Sequence, residues 1–186
     1  MSLRSVTAAA LLIVIPAALS AAEPENPFKK AEKGQWVSYK LTAKAMGMDF
    51  NGSIKQTVTD KDDKTVNLEI AASFMGNDFP AQTVKVDLTK PFNPLAAGGT
   101  PPGTETKLEK TDSGKETIEV GGKKYECEWT KYKVTGSANG ADLTGESKVW
   151  LTKDIPISGM LKMQSKIKFG EVEFESTMQH DKSGKN

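Results

Sequence analysis

"TVNLEIAASFMGNDFPAQTVKVDL", residues 65–88, decides how this chain is read. Val66, Leu68, Ile70, Ala72 and Phe74 fall two apart, with mostly polar residues between them. A period of two marks a strand that buries one face. Met75–Asp78 then reads as a turn, and Val84, Val86 and Leu88 mark a second strand.

The same pattern extends in both directions. Val37, Tyr39, Leu41, Ala43 and Ala45 share a face, Met46–Gly47–Met48 turns or bulges, and a strand resumes before a turn at 60–63. Further on, short strands alternate with turns at Gly121–Gly122 and at 136–142. Leu161, Met163, Ile167 and Phe169 then fall opposite Lys162, Lys166 and Lys168, and Val172, Phe174 and Met178 point inward. No stretch beyond the first residues carries a helical stripe. About ten strands joined by short turns predict an all-β antiparallel meander. Its apolar face needs a cover, and curling into a half-barrel or barrel would supply one while removing exposed edges. A two-sheet sandwich is the alternative.

Segments follow from composition. Arg4 precedes an uncharged run from Val6 to Leu19, and Ser20, Ala21 and Ala22 follow it, the pattern of a secretory signal peptide over 1–22. Residues 23–33 are expected to be a flexible lead-in, 34–180 a single β domain, and 181–186 a frayed tail. Within the domain, 89–104 holds four prolines and three glycines and is expected to be a long loop. The expected location is periplasmic or extracellular, with no stable membrane span after signal cleavage.

Charge and residue chemistry exclude several functions. The chain has 25 basic and 24 acidic residues, and Arg4 is the only arginine. A balanced surface without bidentate guanidinium clamps argues against nucleic acid. The one histidine, His180, has no nucleophile beside it, and with a lone cysteine it forms no zinc set. Asp60, Asp62 and Asp63 are interrupted by lysines and suit a hairpin turn better than a calcium loop. Glu171, Glu173 and Glu175 alternate with Val172 and Phe174, which places them on a wet face rather than across a cleft. No catalytic group and no cofactor is expected. What remains is a non-enzymatic binding protein with a hydrophobic cavity for a lipid or another apolar small molecule. Tyr39, Leu68, Phe92, Trp129 and Met163 are its candidate ligand-binding residues. The alternative is an envelope accessory protein that binds another protein through a sheet edge or a lysine-rich face.

"GESKVWLTKDIPISGMLKMQSK", residues 145–166, resembles a late segment of periplasmic lipoprotein-carrier proteins and of little-studied secreted relatives. The matching features are Trp150, Pro156 and the returning strand from Met160. The resemblance implies a strongly curved sheet whose apolar concave face holds acyl chains. The carriers' plugging helices and cargo-handling arginine have no counterpart here, so 89–104 would have to serve as the cover.

Cys127 lies in "YECEW", where alternation places it with Tyr125 and Trp129 and turns Glu126 and Glu128 away. Tyr132 and Val134 fall out of phase with it, so a bulge is expected near Thr130–Lys131. A thiol among aromatic groups is unreactive. A thiol reagent should therefore label Cys127 slowly in native protein and rapidly in denaturant; fast native labelling would contradict a buried thiol.

Overall fold

The computed structural model describes residues 26–95, 104–138 and 140–186. The signal-peptide reading and the middle of the Pro/Gly-rich loop lie outside these residues. Nine strands are described: β1 (Gln35–Ala45), β2 (Met48–Lys61), β3 (Thr65–Phe74), β4 (Asn77–Asp87), β5 (Thr104–Val120), β6 (Lys123–Ala138), β7 (Ala141–Leu151), β8 (Met160–Phe169) and β9 (Val172–Lys185). All neighbours pair antiparallel, in the order β4-β3-β2-β1-β9-β8-β7-β6-β5. Two meanders, β1–β4 and β5–β9, are thus joined where β1 meets β9, from Gln35 opposite Lys185 to Ala45 opposite Phe174.

This corrects the expected barrel or half-barrel, and no sandwich forms either. β4 and β5 are the two ends of one open sheet, and extensive backbone approach is confined to hydrogen-bonded neighbours. Closure is not needed because both edges are blunted. On β4, Pro80 and Ala81 stand against Ala71 alone, in a bulge that removes an N–H from the edge. On β5, Thr111 is the extra residue between the Lys110–Tyr132 and Asp112–Lys131 pairs, in a strand rich in Lys and Glu.

The bulge expected within β6 is this one in β5. β6 itself pairs with β7 without a shift from Glu128 to Ala138. Burial nevertheless changes sides along β6: Tyr125 and Cys127 are buried on one phase and Val134 on the other. On β7 the adjacent residues Val149 and Trp150 are both buried, so the sheet is covered on both faces there.

Short irregular segments cover one end of the apolar face. The lead-in expected to be flexible is packed from Asn26 onward. Asn26 Oδ1 accepts from the Phe28 N–H at 3.1 Å and opens a short 3-10 helix, Pro27–Lys30. Asn26 Nδ2 donates to the Lys90 carbonyl at 3.0 Å, and the Phe28 ring meets Phe92 at 5.7 Å. The tail expected to fray is the end of β9, with the Asn186 N–H donating to Gly34 O at 3.0 Å. The 152–159 loop adds Ile155 and Ile157, both buried. Ile157 has φ of +68°, which costs a β-branched residue about 1–3 kcal/mol. Burying two isoleucines contributes about 3–6 kcal/mol, enough to hold the strained loop closed.

Glycine sets the spacing in mid-sheet. A Cβ at Gly145 would lie 2.2 Å from Lys166 O and 2.8 Å from Ile167 Cα. Gly145→Ala should therefore force β7 from β8 and destabilise the fold by about 1–3 kcal/mol. Urea unfolding measures this, and an unchanged midpoint would contradict so close an approach.

Candidate functional site

Register lays the surface out in rows. Leu108, Val134, Gly145, Ile167, Phe174, Ala45 and Met48 stand opposite one another in succession across seven strands, from β5 to β2. One residue away on each strand, on the other face, run Glu109, Lys133, Glu146, Lys166, Glu175, Lys44 and Asp49. The second row alternates in sign at every step, so each charge has opposite charges as its cross-strand neighbours. Lys166 Nζ lies 3.0 Å from Glu175 and 2.9 Å from Glu173, and these carboxylates raise the pKa of its ammonium. An open trough of about 920 Å³ is lined by Lys44, Asp49, Glu146, Lys166 and Glu175, among others. This is a solvated charge ladder, and among the described residues no cluster suited to a metal ion occurs.

The apolar face divides into a covered and an uncovered half. At the covered end Val37, Tyr39, Val58, Val66 and Leu68 are shut beneath Phe28, Leu88 and the 152–159 loop. Toward the Met46–Gly47 and Met75–Gly76 turns, apolar residues remain in contact with solvent. Phe174 is 42% exposed and Phe79 54%, while Phe50 and Phe74 are half-buried and stack at 5.7 Å with their planes 19° apart. Leu41, Ala43, Ile167 and Phe169 are half-buried around them. Between the halves runs a row of small polar groups, Ser147, Ser165 and Ser176, with the first two hydroxyls 2.9 Å apart.

The five candidate residues do not form one site. Tyr39 and Leu68 are fully buried in the core. The Tyr39 hydroxyl contacts Ser158 Oγ at 3.4 Å, and burial raises its pKa far above the phenol range. Phe92 belongs to the cover, against Phe28. Met163 packs half-buried on the apolar face opposite Val149 and Met178. Trp129 lies on the other face: it pairs with Trp150, while Thr130 pairs with Val149. Cys127 is 3% exposed, its pKa raised by burial and then by the charges of Glu116 and Asp154.

The Trp129 side carries a constellation that no motif announced. Lys148 Nζ lies 4.3 Å from the Trp129 ring centroid and 4.4 Å from that of Trp150, and donates to Glu116 Oε1 at 2.8 Å. Trp150 Nε1 donates to the same oxygen, and Lys162 approaches the Trp150 ring at 5.3 Å. Gly114 makes room, since a Cβ there would meet the Trp129 ring at 2.8 Å. These rings are occupied by the protein's own cations, so the cluster binds strands together instead of offering a free aromatic face. The signal available was the turn composition of residues 136–142: the pairing that begins with Ala138 opposite Ala141 sets Trp129 opposite Trp150.

The Glu116 carboxyl is held below its usual pKa, first by the Lys148 hydrogen bond and then by Trp150. A lowered carboxylate pKa stabilises the fold above its unfolded value, about 4.3, and loses that contribution as pH falls through the folded value. Tryptophan fluorescence should therefore show an acid transition below about pH 4.3 that Glu116→Gln removes. The same transition in the variant would show that Glu116 does not govern it.

No protein-family model and no curated protein matches the chain. Two crystal structures share its fold. One is a protein of YmcC-like fold and conjectured export from Bacteroides fragilis, 10% identical, with a TM-score of 0.51, covering 86% of this chain and 100% of the other. The second is a conjectured lipoprotein from Parabacteroides distasonis, 11% identical, with a TM-score of 0.50, covering 86% of this chain and 99% of the other. The chain is thus similar in architecture to bacterial proteins of the exported and lipoprotein kinds.

Proposed function

We propose that this is an exported, non-enzymatic binding protein that takes an apolar molecule, a lipid or a comparable hydrocarbon chain, onto the uncovered half of its apolar sheet face. The carrying observation is the solvent contact of Phe79 and Phe174 beside the stacked Phe50–Phe74 pair, on a face otherwise committed to burial. Aromatic groups left at a surface mark a binding surface when they are contiguous, because solvent exposure of hydrocarbon is costly. The face offers hydrocarbon and a few hydroxyls while the ionic groups of the ladder stand on the other side, which suits capture without chemistry. Export is supported by the leader-like pattern of residues 1–22 and by the names of the two proteins of shared fold. The protein-binding alternative gains nothing comparable: both sheet edges are bulged, and the lysines of the ladder are matched by carboxylates.

Delipidated protein should take up a fluorescent fatty acid in a saturable way. Phe79→Ser with Phe174→Ser, at exposed positions that leave the core intact, should weaken uptake by about tenfold or more. Absence of saturable uptake by the wild-type protein would end this reading.

A further inference from the structure

The charged face carries a second row besides its ladder. Two residues along each strand, on the same face, stand Asn51, Thr42, Thr177 and Gln164, opposite one another across β2, β1, β9 and β8. None of these four side chains has a hydrogen-bond partner among the described residues. The rows on either side are tied. Lys166 Nζ holds Glu175 in the ladder. In the row beyond, Ser53 Oγ meets Ser73 Oγ at 2.9 Å and Lys40 Nζ meets Asp181 at 3.0 Å.

The ladder and this uncharged row are the two walls of the open trough of about 920 Å³, which continues past Gln164 to Lys148, Lys131 and Asp112. It runs across seven strands, from β5 to β2, so six strand spacings of about 4.8 Å make it about 29 Å long. Volume over length leaves a mean section of about 30 Å², room for one extended chain and for no folded domain.

The walls narrow what that chain is. Four lysines and four carboxylates line the trough, so their charges cancel and favour an ionic chain of neither sign. A peptide adds to a sheet through its backbone, but the strands from β2 to β6 are already paired on both sides. Hydrogen bonds to a chain lying across them must come from side chains. Amides and hydroxyls both donate and accept, as the hydroxyls around a sugar ring do. Each strand adds one such group on one wall and a donor or an acceptor on the other, at a spacing close to the length of one sugar residue.

We infer that the trough binds a neutral glycan, one extended chain laid across the strands, with Asn51, Thr42, Thr177 and Gln164 hydrogen-bonded to its hydroxyls. The site lies on the opposite face from Phe79 and Phe174 and does not depend on capture of an apolar molecule.

Titration of isotope-labelled protein with neutral hexasaccharides of glucose and of mannose, followed by amide NMR, tests this. At least one should bind saturably and shift the side-chain amides of Asn51 and Gln164. The disaccharide of the same linkage reaches only part of the trough and should bind at least about tenfold more weakly. Thr177→Val with Gln164→Met removes a hydroxyl and an amide at nearly constant shape. This variant should bind the hexasaccharide about tenfold more weakly while keeping its unfolding temperature and its fatty-acid uptake. The inference is overturned if no hexasaccharide binds, if the shifts map to the apolar face, if the disaccharide binds as tightly, or if the variant binds equally well. Tighter binding of heparin or polygalacturonate would make the occupant an anionic chain, and tighter binding of an extended Gly/Ser/Asn decapeptide would make it a peptide; either result overturns it too.

Discussion

The pairing of β1 with β9 is the interaction on which the rest depends. Each meander alone is a strip of four or five strands with an edge to spare. Joining them at β1 and β9 places Ala45 beside Phe174 and Lys44 beside Glu175. Only then do the apolar row and the charge ladder run unbroken from β5 to β2. The seam also brings Tyr39 to the middle of the sheet, where it meets His180 edge-on at 6.5 Å and reaches the 152–159 loop through Ser158. Cover and sheet are thus fastened at the same place.

An open sheet has to answer two problems that closure would solve together. Exposed edges are answered locally, by the Pro80–Ala81 bulge, by Thr111 and by the charge on β5. The apolar face is answered by borrowed segments: the 3-10 turn at Phe28, Leu88 with Phe92, and the strained loop bearing Ile157. These reach one end only. The division into covered and uncovered halves follows from the short span of the segments available to cover a broad sheet.

Local pairing was legible in the sequence, and the global join was not. Alternation identified the strands from Val66 to Phe74 and from Leu161 to Phe169, and the turn residues located the hairpins. A period of two says that a face is buried but not what buries it, so the sheet was expected to curl onto itself. The polarity of 23–33 concealed Phe28 and Ala31, which are both buried. The polar residues after His180 read as a loose end because a strand in mid-sheet needs only backbone pairing at its tip. Tyr39 and Leu68 were recognised as inward-facing, but inward positions divide into closed and open ones according to the cover. Trp129 was placed inward by its phase with Cys127; the phase slip to Tyr132 and Val134 was legible, but a bulge and a change of buried side along β6 leave the same mark in the sequence.

The seam also sets an order of events. Strands β1 to β4 pair through turns of a few residues, and so do β5 to β9 apart from the 152–159 loop between β7 and β8, so each meander closes short loops quickly. The partners of β1 on β9 lie well over a hundred residues away along the chain. Their meeting is the slow, high-contact-order step. A chain delivered from its N-terminus forms β1 early and leaves its free side waiting until β9 arrives. During that interval β1 is an unblunted edge, with neither proline nor bulge against β2 to protect it. The vulnerable moment in the life of this protein is therefore before completion, and its length is set by the arrival of its last strand.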